Sequence, residues 1–240
     1  MKKTATILFA ALLTVTATLH AQQRIKGNGQ MKKETRPAGS AFDEISSSGK
    51  YKILLKQGST HAIEIEADEN ILPYIETEID GDELQLHSKK GYNINPSKPI
   101  TVWLTLATLK EINASGQAEI VTEGAFKGAS LETNFSGRVD AKLNVQYDKL
   151  EVAISGSGKM KLNGRADKAE ISVSGSGEVD APEMQSQDME LHISGSGNAN
   201  VNVSKKLEVA ISGSGNVKYK GNPANVQQMV SGKGTVTREN

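Results

Sequence analysis

The chain has 240 residues, no cysteine, 28 basic and 28 acidic side chains, and only 4% aromatics. Balanced charge excludes the broad basic field of a nucleic-acid-binding protein, and the missing thiols exclude a disulfide framework and a lipid-modified cysteine. Stability must come from packing and backbone hydrogen bonds alone.

Met1 to Ala21 carries Lys2 and Lys3, then an apolar stretch through Ile7, Leu8, Phe9, Leu12, Leu13 and Val15, then small residues around the end. This order is that of a secretory signal peptide, with Ala21 the expected last residue removed and a stretch too short to span a membrane. Residues 22–41, polar with Gly27, Gly29 and Pro37, read as a flexible leader. The domain proper is expected over 42–240. Its first part, 42–108, alternates like strands at 61–67, 75–79, 84–87 and 100–106, with turn signals at Asp80-Gly81-Asp82 and from Asn93 to Pro99. Terminal units of a repeat array are atypical, so this part is expected to be an irregular end of the same domain.

From 109 to 240 the chain repeats itself. Ser-Gly pairs begin at Ser115, Ser136, Ser155, Ser174, Ser194, Ser212 and Ser231, at spacings of 21, 19, 19, 20, 18 and 19 residues. A period so short and steady is that of a solenoid. Within 150–168, Leu150, Val152, Ile154, Gly156, Gly158, Met160 and Leu162 share one parity, while Glu151, Ser155, Ser157, Lys159 and Lys161 share the other. Side chains alternate along a strand, so one face is apolar and the other wet. The expected fold is therefore all-β: a single-stranded parallel β-helix with coils of about 19 residues and glycines at a tight corner.

Two internal ladders follow. Ala114, Phe135, Ile154, Val173, Ile193, Ile211 and Val230 should stack, as should Ile120, Ala141, Met160, Val179, Ala199, Val217 and Val236. The serines of the Ser-Gly pairs should form an outer ridge, the candidate binding surface. Ile45 to Ile53 keeps the same phase and reads as a degenerate coil. Gln117-Ala118 and Arg138-Val139 replace the second Ser-Gly, so the first corners should be wider. The last coil has little to cover its edge, which invites self-association.

Phe42-Asp43-Glu44-Ile45, Gln57-Gly58, Ile63 to Asn70 and Leu109 to Gly116, leading into the Ser-Gly repeats, resemble a known family. That family is the putative auto-transporter adhesin, head GIN domain, of exported bacterial envelope proteins, and the likeness covers roughly 42–235. The resemblance implies a right-handed β-helix and an adhesin-like role, and brings no catalytic residues.

Catalytic chemistry was sought in the residues themselves. Asp140, Glu178 and Asp180 occupy comparable places after the corner, but Asp140 and Asp180 fall two coils apart, and Glu178 should pair across strands with Lys159. His61, His87 and His192 lack metal-ligand spacing. Gly156-Ser157-Gly158-Lys159 lacks the remaining residues of a P-loop, the serines form no nucleophile elbow, and the calcium-binding nonapeptide period is absent. Trp103, on an outward phase, is a candidate partner anchor, with the 87–99 loop expected to cover it. The reading is a non-enzymatic, exported adhesin-like or structural solenoid of the cell envelope, without cofactor, metal or nucleic acid. Its partner is an unidentified envelope, glycan or protein component, met in the periplasm, at the outer surface or outside the cell. The rival is a carbohydrate-active lyase or hydrolase, which would need long insertions between coils to build a cleft.

Overall fold

The structure, a computed structural model, describes residues 22–239. The expected signal peptide, 1–21, lies outside the described residues. Strands in the first part are β1 (Gln23–Lys26), β2 (Met31–Arg36), β3 (Glu44–Gln57), β4 (Ala62–Asp68), β5 (Ile75–Asp80), β6 (Glu83–Ser88), β7 (Tyr92–Asn95) and β8 (Ile100–Leu106). The repeats form β9 (Glu111–Glu123), β10 (Phe126–Gly156), β11 (Lys159–Gly175), β12 (Glu178–Gly195), β13 (Asn198–Gly213), β14 (Asn216–Lys220), β15 (Asn225–Gly232) and β16 (Thr235–Arg238).

From β9 onward each coil pairs in parallel with the next, so the regular part is a single-stranded parallel β-helix. The register places Ile154 on Val173, Val173 on Ile193, Ile193 on Ile211 and Ile211 on Val230. In the second ladder Ala141 meets Met160, then Val179, Ala199, Val217 and Val236 follow in order. Ile154, Val173, Ile193 and Ile211 are 2–3% exposed, so each removes nearly a whole aliphatic side chain from water, about 1.5–3 kcal/mol apiece. Val230 continues the ladder but is 42% exposed, and Met229 beside it is 75% exposed, at the coil for which self-association is expected.

The corner glycines divide into two kinds, where parity alone put both inward. Gly158 is buried, and a Cβ on it would lie 2.7 Å from the Val139 carbonyl oxygen. Gly175, by contrast, is exposed; it has φ +112, and a Cβ there would lie 2.7 Å from the Gly156 carbonyl oxygen of the coil before. The first glycine of each pair therefore serves a left-handed turn under a close backbone neighbour, and only the second faces the core. Strand β9 runs unbroken through Gln117-Ala118, and β10 through Arg138-Val139, whereas the Ser-Gly-Ser-Gly corners interrupt the strand. The early corners nonetheless approach the coil before as closely: a Cβ on Gly137 would lie 2.6 Å from the Gly116 carbonyl oxygen.

Strand β3 is the first full coil. One edge pairs with β9; the other is covered by β6 along Glu44–Ser48 and by β8 along Tyr51–Gln57. Beyond them the sheet turns antiparallel, β4 on β8, β2 on β4 and β5 on β6. The chain leaves after β3, builds this cap over 58–108, and returns as β9 on the opposite edge. The outermost strand β2, Met-Lys-Lys-Glu-Thr-Arg, is charged, as suits a strand that must not recruit another edge.

The flexible leader expected over 22–41 is corrected: β1 pairs with β7 and β2 with β4. Asp68, fully buried, fixes the turn between them. Its carboxylate accepts from the Gly29 amide at 2.7 Å, the Ser97 amide at 2.8 Å and the Ser97 hydroxyl at 2.5 Å. Nearby, Asn70 accepts from the Asn28 amide at 3.0 Å and donates to the Lys26 carbonyl at 2.9 Å. Polarity suggested looseness, but these polar groups are the fasteners.

Candidate functional site

Outward side chains line up along the solenoid axis because the register is maintained from coil to coil. Ser48, Ser115 and Ser136 stack, Ser155 lies on Ser174, and Ser194, Ser212 and Ser231 follow. The serines of this row are exposed. Two residues earlier in each coil stands a second outward row: Asn134, Ala153, Ser172, His192, Ala210 and Met229. Short side chains dominate both rows, and between them runs an open trough of about 640 Å³, with Ile154 and Val173 beneath. The serine ridge expected from the sequence is one wall of this trough.

A third row was missed. Four residues before each serine from Ser48 to Ser212 stands a glutamate: Glu44, Glu111, Glu132, Glu151, Glu170, Glu190 and Glu208. Glu44 lies on Glu111, Glu111 on Glu132, Glu151 on Glu170, then come Glu190 and Glu208. The signal was present in the spacing, but attention to the inward parity hid it. Stacked like charges oppose the sheet, and local partners offset them. Lys149 pairs with Glu151, His192 with Glu190 at 2.9 Å and Lys206 with Glu208 at 2.6 Å. Asn113 and Asn134 donate to Glu111 and Glu132 at 2.8 and 2.9 Å. Glu44 shows the residual strain: burial first, then the charges of Glu111, Asp43 and Glu83, push its carboxyl above the ordinary range.

The chemistry sought elsewhere does not converge. Asp140, Lys159 and Glu178 share one row, and Lys159 pairs with Glu178 at 2.9 Å as the spacing suggested. Lys142, Lys161 and Asp180 share the next. Among the described residues no group of three or more His, Asp or Glu could hold a metal. No described helix is long and apolar enough to cross a membrane.

Trp103 lies apart from the trough, on β8 between Leu54 and Glu64. It is half-buried, and β2 covers it: Lys33 Nζ sits 4.3 Å from the ring centroid while bonding Glu64 at 2.6 Å. The ring is already engaged in a cation–π contact by the chain's own segment, which weakens its candidacy as an anchor.

The family model described as putative auto-transporter adhesin, head GIN domain, matches residues 41–223. Among solved structures, a putative adhesin from Parabacteroides merdae is 30% identical, covering 91% of this chain and 100% of its own, with a TM-score of 0.71. A putative adhesin from Bacteroides fragilis has a TM-score of 0.83 at 23% identity, covering 90% of this chain and 100% of its own. A putative lipid binding protein from Parabacteroides distasonis has a TM-score of 0.73 at 25% identity, covering 91% and 100%. No curated protein matches the chain.

Proposed function

Because the chain belongs to the putative auto-transporter adhesin, head GIN domain family, we propose that it is an exported, non-enzymatic, adhesin-like solenoid that binds along its serine-lined trough. The observation that carries this reading is the trough itself, in which short outward side chains recur in register over successive coils and leave an open, largely apolar strip edged by serines. At about 4.8 Å per step, the six coils lining it span some 24 Å, suited to an extended polymer rather than a compact small molecule. Serine hydroxyls both donate and accept, so the strip offers hydrogen bonds without demanding a charged ligand.

The test is capture of partners from cells, glycans and matrix by the mature chain, followed by the same capture with the trough filled by Ala153→Trp and Ser174→Trp. Both positions face outward, so folding should be retained and binding should fall by about tenfold or more, the loss of about 1.4 kcal/mol. Capture of no partner, or unchanged capture by the filled variant, would contradict the reading. The rival carbohydrate-active enzyme predicts turnover in a panel of acidic polysaccharides.

A further inference from the structure

At the N-terminal cap a second, electrostatically opposite surface stands apart from the trough. Strands β1 and β7, the end of β6 and the corner after Gly49 enclose a cleft of about 630 Å³, within the size range of small-ligand sites. Arg24, Lys50, Lys89 and Lys90 line it, and no aspartate or glutamate does. All four cations are exposed, and among the described residues none is in an ion pair. His87 also lines the cleft, and its Nδ1 lies 3.6 Å from Glu76, which stands outside the lining. The mature chain is close to neutral, so four unpaired cations around one concavity are a local concentration rather than a consequence of composition.

The walls also carry groups suited to a hydroxylated ligand. Asn93 lines the cleft, and its backbone is held by the register of Arg24 on Asn93, which puts the two side chains on one face of the β1–β7 pair. Tyr92, on the other face, packs its ring on Tyr74 with centroids 4.6 Å apart and steadies the strand. An amide that donates and accepts and cations that satisfy acidic groups are together what an acidic sugar requires. A bare phosphate would need only the cations.

We propose that this cleft binds an anionic saccharide, a glycan segment bearing carboxylate or sulfate groups. The acidic groups pair with Arg24, Lys50, Lys89 and Lys90, while Asn93, on the same face as Arg24, meets the hydroxyls. The glutamate row beside the trough would repel such a ligand, so the two surfaces take different chemistries, and this site does not depend on the trough being occupied.

The mature chain should be titrated with polygalacturonate oligosaccharides, heparin oligosaccharides, neutral dextran oligosaccharides and a single-stranded oligonucleotide of matched charge. Binding of at least one acidic oligosaccharide is expected, weakening as salt rises because the cations are solvent-exposed. The double variant Lys89→Glu, Lys90→Glu should weaken it by about tenfold or more, about 1.4 kcal/mol; Lys89→Arg, Lys90→Arg should retain it, and Asn93→Ala should weaken saccharide binding at unchanged circular dichroism. Polygalacturonate carries carboxylates only and heparin carries both groups, so binding of polygalacturonate identifies carboxylate as sufficient, and binding of heparin alone identifies sulfate as required. Binding of neither, equal binding of neutral dextran, equal binding of the oligonucleotide, or indifference to charge reversal would each overturn the proposal. The trough-filled variant should bind the acidic oligosaccharide normally, so failure of the adhesin reading and failure of this one give different results.

Discussion

Replacing Ile154 with Asp is expected to unfold the solenoid. Ile154 is 3% exposed and stacked on Val173, so a carboxylate in its place would be almost wholly withdrawn from solvent. An unpaired interior charge costs several kcal/mol, and the lost packing of a buried isoleucine adds about 2–5 kcal/mol. The whole stability of a domain is about 5–15 kcal/mol, so the sum takes most or all of it. Circular dichroism should lose its β signature, or the melting temperature should collapse. The outward neighbour Ser155, replaced by Ala, should stay within about 0.5 kcal/mol of the parent. If the Asp variant kept the parent's spectrum and melting point, the inward assignment of this ladder would be wrong.

The second large effect belongs to Asp68, which holds the N-terminal turn against the 95–97 segment. Burial alone would raise its carboxyl, but hydrogen bonds from the Ser97 hydroxyl and from the Ser97 and Gly29 amides outweigh it, and the acid stays below its ordinary value of 3.8. A group depressed in the folded state contributes stability that is present above the unfolded value and lost as pH falls through the folded one. The cap should therefore loosen in acid below 3.8, seen as faster hydrogen exchange at the Gly29 and Ser97 amides. Asp68→Ala should remove about 3 kcal/mol, since bonds to a charged acceptor contribute about 1.5–3 kcal/mol each. Exchange at both amides should then be fast at every pH. Slow exchange in the variant would show that β1 and β2 are held by pairing alone.

The regular coils were legible because three independent features of the sequence agree: a fixed period, a fixed parity and glycine at a fixed phase. Each later coil repeats the same pairing decision, so one correct register at Ile154 settles those at Val173, Ile193 and Ile211. The cap obeys no such repetition. That β3 would lie between β9 on one edge and β6 with β8 on the other depends on contacts between residues far apart in sequence, and alternation within each strand carries no information on its partner. The ordering of 22–41 was hidden for a related reason. Gly27, Asn28 and Gly29 resemble a linker locally and become fixed only once Asp68, Asn70 and Ser97 arrive from elsewhere.

The binding surfaces divide along the same line. The serine row and the missed glutamate row were both readable at constant offsets, Glu151 before Ser155 and Glu170 before Ser174. The trough was less so, because its openness depends on Ala153, Ser172 and Ala210 being short and neighbouring at once. The basic cleft was not readable at all. Arg24, Lys50 and Lys89 come from three separated segments, brought together by β1 on β7 and by β6 on β3. Such charges look like an ordinary solvated surface until the cap is folded.

The proposed role requires the domain to face what it binds. An antibody against the mature chain should be applied to intact and to permeabilised cells of the source organism. Labelling of intact cells is the predicted result and places the trough where an adhesin-like surface can act. Labelling that appears only after permeabilisation would confine the protein inside the envelope and contradict the adhesin reading.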